Sequence, residues 1–525
     1  MGETLPLLRG DISLEEALEE DLDIIRELAY PEKRREFSLH LNNERDQIAE
    51  VVSRHLNLRQ SDFSLGDANE WIHGSFNACI PVHIEEDARG SSLPAQALVR
   101  IPLPYKVGED FNPGNVDEKV RSEAATYIWM QKNCPEVPIP RLFGFGFPGT
   151  RSMPKFTSIE TASFYHRFMW LPRRFVAWIF GRGELSRYVI NNRSTLPDLG
   201  YLVIEHIDNG TLLSEDWAAG HGNDEKRANL FGNLSRIMLR LAKLPLPKIG
   251  SWTMDDNGEL KLANRPLTPL LHQQENAEIP TDIPRDRTYT SVESYYLDLI
   301  ACQDNRIRHQ PNSVHDQGDG EQQLAALTGL RALLPKFADR KHREGPFVLS
   351  LTDLHRSNIF VDEDWNITGI IDLEWACSRP VEMAGPPVWL SGRTLEEITF
   401  HSEEYGKFHE EFVDALEREE LDQGESTDNA ELMRESWETR KFWYSQALDS
   451  PNTLLALFVD HIQPRFAKLS SAQWDEFSHM LMRLWDVDSQ GFISNKVVEQ
   501  EKYLDHLRRV FTEKLDEDDD DDDEF

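Results

Sequence analysis

Hydrophobic positions along the chain change period several times, and each change predicts a different kind of element. Leu14, Leu18, Leu22 and Ile25 recur at helical spacing, as do Ile48, Val51, Val52 and Leu56, so residues 13–57 predict two helices. From Glu70 the pattern turns to β. EWIHGSFNACIPVHI holds a turn, Gly74-Ser75-Phe76-Asn77, between two strand-like runs, and AQALVRIPLP predicts a further strand with Arg100 near its middle. A helix follows over about Asp117–Asn133 and carries Glu123. After another strand, GYLVIEHI, helical periodicity dominates. Leu230, Leu234, Ile237, Leu241 and Leu244 share one face of a helix that Pro245 ends. GSWTMDDNGELKLAN predicts a hairpin turning at Asn257-Gly258, and Leu324, Leu327, Leu330 and Leu333 mark the helix that leads into the most strongly patterned stretch.

That stretch is FVLSLTDLHRSNIFVDEDWNITGIIDLEW, residues Phe347–Trp375. It predicts strand, tight loop, strand, turn and strand, with Asp353 opening the loop, Asn358 five residues later and Asp372 closing the last strand. Each of the three alone is ordinary turn chemistry, since Asp and Asn hydrogen-bond their own backbone. Framed together by apolar strands, they would meet at one edge of a small sheet. A base, an amide and a second carboxylate around a divalent cation suit phosphoryl transfer, whose catalysis is mostly positioning and charge neutralisation. The Gly74–Ser75 turn fits the same chemistry, because a glycine lets backbone N–H groups approach a phosphate closely. Strand Arg100 and helix Glu123 are spaced to form an ion pair that aims a cation at phosphates.

These segments, in this order, resemble the aminoglycoside phosphotransferase/choline kinase branch of the protein-kinase-like superfamily, in particular its fungal-type members. The resemblance spans about Glu70 to Leu390: IHGSFNACIPV as nucleotide loop, LVRIPLP as the cation-bearing strand, RSEAATYIWMQKNCPEVPIPRLFGFG as helix and strand, YLVIEHIDNGTL as hinge, LTDLHRSNIFVD as catalytic loop and ITGIIDLEWA as metal strand. It implies an α+β, bilobal protein-kinase-like fold, with a small antiparallel β N-lobe and a larger helical C-lobe. It also implies an ATP- and Mg²⁺-dependent phosphotransferase with a small-molecule hydroxyl as acceptor. By position, Asp353 is the catalytic Asp, Asn358 and Asp372 the Mg²⁺ ligands, Arg100 the phosphate-facing cation and Glu123 its partner. Gly74 and Ser75 lie in the nucleotide loop, and the backbone of Glu205, His206 and Ile207 meets adenine. Two positions depart from the pattern: Leu351 stands where a bracing His is usual, and Arg100 where Lys is usual. These departures motivate an alternative, a nucleotide-binding pseudokinase or scaffold acting through partner or membrane contacts. A protein kinase is disfavoured by L-E-W after Asp372.

The expected division is a helical extension (1–65), an N-lobe (66–207) with an insertion at 151–199, a C-lobe (208–515) and a disordered acidic tail (516–525). The insertion is basic and aromatic, with seven aromatics in residues 164–180. Its arginines exclude a membrane span and leave peripheral membrane contact as one option beside packing on the N-lobe. The chain carries 92 Asp and Glu against 56 Lys and Arg, a net charge of −36, which argues against a nucleic-acid partner. Four scattered cysteines form no CxxC pair, and the acidic N-terminus lacks an apolar signal segment, so a cytoplasmic location is expected.

Overall fold

The computed structural model describes residues 4–522 apart from 91–92, 150–153, most of 163–185 and 191–198, with side chains described to residue 514. The architecture is α+β, with antiparallel sheets and extensive helix. A short hairpin, β1 (Thr4–Leu7) and β2 (Gly10–Ser13), opens the chain. The main sheet has eight strands: β3 (Phe63–Leu65), β4 (Ile72–His73), β5 (Asn77–Ile84), β6 (Gln96–Pro102), β7 (Leu142–Gly146), β8 (Lys155–Ser158), β9 (Tyr188–Ile190) and β10 (Tyr201–Glu205). Their spatial order is β3-β5-β6-β10-β7-β8-β9, with β4 also pairing β5. Arg100 on β6 therefore sits between Cys79 of β5 and Leu202 of β10, in the middle of the sheet.

The helix Asn115–Asn133 buries Glu118, Lys119 and Glu123 along with its apolar face. Charged groups are so placed only when paired. Arg265 supplies one pairing, donating to Glu118 from Nε and Nη2 at 2.9 and 2.8 Å and to Glu275 from Nη1 and Nη2 at 2.6 and 2.9 Å. Arg265 directly follows the hairpin of β12 (Ser251–Met254) and β13 (Leu260–Asn264), so this network ties the helix to the segment after the sheet.

The N-terminal extension is more broken than its spacing predicts. The expected first helix stops at Glu19, where Glu20 turns extended, and restarts at Ile24 behind Asp23, whose side chain accepts from the Arg26 N–H. Helices Tyr30–Asn43 and Arg45–Leu56 then cover one face of the sheet, in a core with Ile80, Val99 and Val203. His55 joins the second of these to the sheet, with Nδ1 2.8 Å from Thr157 Oγ1 and Nε2 3.0 Å from Tyr201 Oη. Burial pushes its imidazole down to about 3. The fold thus favours neutral His55 while the unfolded chain takes up a proton below about 6.5, so stability present above 6.5 is lost as pH falls toward 3. We expect the melting midpoint to drop between pH 7 and pH 5, by a free-energy equivalent of roughly 2 kcal/mol over that span. His55→Asn should flatten the drop. An equal drop in the variant would refute the assignment.

Beyond the sheet the chain is mainly helical, and its apolar core runs from Val107 to Ile493 without a break. Into this core is set β14 (Phe347–Leu351), β15 (Ile359–Val361), β16 (Ile367–Ile370) and β17 (Ala376–Pro380), with β14 pairing β17 and β15 pairing β16. The segment after β10 folds onto this unit. β11 (Thr211–Leu212) pairs β15, Thr368 Oγ1 donates to the Asn209 carbonyl at 2.6 Å, and a Cβ on Gly369 would lie 2.4 Å from Ile207 Cδ1. The last helix, Ser489–Asp522, continues into the acidic run. Of the aromatic insertion, Phe164 and Phe168 are exposed and Trp170 donates to the Ser186 carbonyl. Most of 164–180, and with it the expectation of membrane contact, lies outside the described residues. No helix among the described residues is long and apolar enough to cross a membrane.

Candidate active site

The stretch Phe347–Trp375 folds so that its polar residues meet at one end. Pairing of β15 with β16 brings Asn358 beside the chain leading to Asp372, and the Ile371 N–H donates to the Asn358 carbonyl at 3.0 Å. Asn358 Nδ2 donates to the Asp353 carbonyl at 2.9 Å, which leaves the amide oxygen as the free acceptor of that side chain. Asp372 adopts a left-handed backbone, φ 61°, a conformation uncommon outside glycine that Asp tolerates better than most residues. The loop before it is held without a bracing histidine. Thr352 Oγ1 donates to the Trp375 carbonyl at 2.6 Å, and Trp389 Nε1 donates to the Leu354 carbonyl at 2.7 Å.

Arg100 reaches this end from the sheet and spans three carboxylates. Its Nε lies 3.0 Å from Glu123 Oε1, its Nη1 2.5 Å from Asp372 Oδ1 and its Nη2 2.8 Å from Glu374 Oε2. The planar guanidinium makes this possible, since a single ammonium could not face three directions so widely spaced. Two further groups complete the cluster, and neither was singled out by sequence. Lys119, fully buried one helical turn before Glu123, pairs with Glu374 and donates to Asn77 Oδ1 at 2.6 Å. Asn77, the first residue of β5, donates from Nδ2 to Glu374 Oε2 at 2.8 Å. The signals were present in the i, i+4 spacing of Lys119 and Glu123 and in the Asn that closes the glycine turn, but each also describes an ordinary surface feature.

The charges do not balance. Among the described residues, Asp353, Asp372, Glu374 and Glu123 face only Arg100 and Lys119, so full ionisation leaves two negative charges over. The groups share the strain unequally. Burial drives the Glu123 carboxyl up against the pull of Arg100 and Lys119. Glu374 is desolvated too, but Lys119 and Arg100 outweigh its burial and hold it low. Asp353 is pushed up to about 7, first by burial and then by Glu374 and Asp372.

The turn that carries Gly74 and Ser75 reaches the same end through Phe76 and Asn77. The Gly74 N–H donates to the Asn77 carbonyl at 2.9 Å, and Phe76 packs edge-on against Trp375, with ring centres 5.1 Å apart. A Cβ on Gly74 would meet only that carbonyl oxygen, at 3.6 Å, so the space in front of the turn is open. Glu205, His206 and Ile207 follow β10. The first two donate their N–H groups to the Arg141 and Gln96 carbonyls, and the Glu205 carboxylate grips Arg141. Ile207 lies against β16, and among the described residues its N–H has no acceptor. Arg100 is thus in direct contact with Glu123 and Asp372, and Asn358 is bonded to the Asp353 backbone, while the amides of Glu205 and His206 are already engaged.

Residues 189–383 match the APH family, described as a phosphotransferase enzyme family. This part of the chain is similar to that family. The match covers the hinge and the whole catalytic hairpin, and phosphoryl transfer is the activity it supports. Gly74, Arg100 and Glu123 lie outside the matched span. Among curated proteins none matches the sequence. A solved macrolide 2'-phosphotransferase type I is similar at 11% identity over 83% of this chain and 96% of that one, with a TM-score of 0.33, too low to bear on fold or substrate.

Proposed function

We propose that this protein is a phosphotransferase that moves the γ-phosphoryl group of ATP to a hydroxyl of a small molecule. The observation that carries the reading is the cluster of four carboxylates with two cations beside an open glycine turn, which is two positive charges short. The fold is then bilobal: the main sheet with helix Asn115–Asn133 holds the nucleotide, and the helical remainder holds the acceptor. Asp353, with a proton affinity near neutrality, would orient the acceptor hydroxyl and take its proton. Asp372 and the free amide oxygen of Asn358 fit a magnesium ion. Asp372 Oδ1 is buried, and no hydrogen-bond donor is aligned on it; Arg100 holds it by charge alone. Bound there, Mg²⁺ would neutralise phosphate charge. Arg100 would shift toward the phosphates when Asp372 turns to the metal, with Glu123 retaining its Nε side. Ile207 offers the one uncommitted hinge amide to adenine.

ATP with Mg²⁺ should raise the melting midpoint of the purified chain well beyond ATP with EDTA, and Asp372→Asn should erase that difference. A midpoint indifferent to Mg²⁺ in the unmodified protein would sink the metal assignment. One observation favours a second reading, a nucleotide-binding pseudokinase: Arg100 already occupies the carboxylate that a metal would need. On that reading ATP stabilises the protein equally with or without Mg²⁺, and no acceptor yields ADP.

A further inference from the structure

A cavity of about 410 Å³ lies behind the catalytic loop, within the roughly 300–1,000 Å³ typical of small-molecule sites. Its wall is gathered from distant parts of the chain: helix Asp224–Ala242, strand β14, the Pro386-Pro387 segment, Trp389 and Met433. Leu351, Thr352 and Leu354 all line it. Asp353 lies between them; its carbonyl accepts from Asn358 Nδ2, and Thr352 donates to the carbonyl of Trp375, the residue after Glu374, so one four-residue loop borders both the cavity and the carboxylate cluster.

Among the described residues of the wall only two are charged, and they cancel. Arg379, buried on β17, donates from Nη2 to both carboxylate oxygens of Asp449 at 2.6 and 2.8 Å. In a chain with 92 acidic residues, a wall whose single acid is already neutralised is informative. An ammonium group seated against this wall, away from the Asp353 end, would lose its hydration and find no uncompensated carboxylate there, which a desolvated cation requires. The rest of the wall is mostly aliphatic, with Trp389, and with Met383 and Met433 able to adapt to an irregular shape; its hydrogen-bonding points, among them Gln273, Ser350, Asn429 and Gln446, are all neutral. Leu351 acquires a reason here. Where the resemblance puts a bracing histidine, this chain sets an aliphatic side chain into the cavity wall and braces the loop instead through Thr352 and Trp389.

We infer that the acceptor is a neutral, largely apolar alcohol of fused-ring or terpenoid size, seated in this cavity with its hydroxyl toward Asp353. The assignment rests on the phosphotransfer reading but is tested separately from it. Binding of estradiol, 2-naphthol and farnesol to the full-length protein would be measured by quenching of tryptophan fluorescence and by calorimetry, with choline and kanamycin as cationic comparators. At least one of the three neutral alcohols should bind at micromolar concentration and the cations at least a hundredfold more weakly. Met433→Trp and Val388→Trp, which fill the cavity from two different segments of its wall, should each weaken that binding tenfold or more while the MgATP-induced melting shift persists; the second variant decides if the first fails to fold. Failure of all three alcohols to bind, or binding unaffected by either folded variant, overturns the cavity assignment even if MgATP is bound and turned over. Tight alcohol binding in a protein that never binds MgATP overturns the acceptor role and the phosphotransfer reading together.

Discussion

Asp353→Asn is expected to lower phosphotransfer by about 10²–10⁴-fold and, in the same variant, to make the metal-free protein more stable. The two effects share one cause. Asp353 sits in a desolvated place beside Glu374 and Asp372, and its carboxyl is raised from 3.8 to about 7. A carboxyl whose folded value lies above its unfolded value binds more protons in the fold than in the unfolded chain between those limits. Stability is therefore full below about 3.8 and falls as pH rises toward 7. Asn removes the charge and keeps the shape, so the variant should match the wild type near pH 4 and exceed it at pH 8, by about 4 kcal/mol at most. Urea unfolding in EDTA at both pH values measures this. Adding Mg²⁺ should narrow the gap, since the cation relieves the wild type and has less to relieve in the variant. An Asp353 that served only to hold the loop would behave in the opposite way, with Asn destabilising the protein at pH 8.

The parts of this site that were legible in sequence are those whose chemistry is local. Asp353, Asn358 and Asp372 stand in one hairpin, where alternating apolar residues on β14 to β16 dictate which way the loop residues face. Arg100 and Glu123 come from two elements whose periods are clear, and the structure joins them at 3.0 Å. The failures have physical reasons. Lys119 reads as half of a surface i, i+4 pair, and nothing in its neighbourhood announces that β5 and Glu374 will enclose it. Glu374 is the carboxylate on which Arg100, Lys119 and Asn77 converge, and nothing in its sequence neighbourhood announces partners from two other elements. The cavity could not be read at all, because its wall draws on segments from Ile237 to Ser450. In the N-terminal extension, helical spacing persisted from Leu14 to Ile25 while the caps at Ser13 and Asp23 set two short helices in its place.

The convergence on Glu374 makes Glu374→Gln the single substitution expected to cost the most stability, about 3–5 kcal/mol. Removing its charge leaves Lys119 fully buried with Glu123, 3.9 Å away, as its one remaining carboxylate among the described residues, and leaves Arg100 one partner fewer. Lys119→Met alone should be comparably harmful, since it strands Glu374 against a cluster already rich in carboxylates. Combined, the two changes remove both ends of the pair, so the double variant should lose clearly less than the sum of the singles, with a coupling of about 1–3 kcal/mol. Urea unfolding at pH 7.5 of the four proteins gives that coupling directly, and additive losses would show that Lys119 and Glu374 do not depend on each other. Glu374 also heads the charges that raise Asp353. In folded Glu374→Gln protein the Asp353 carboxyl should therefore ionise at lower pH, and the acidic limb of turnover should move the same way. A limb that stays in place while stability falls would separate the structural role of Glu374 from the tuning of the base.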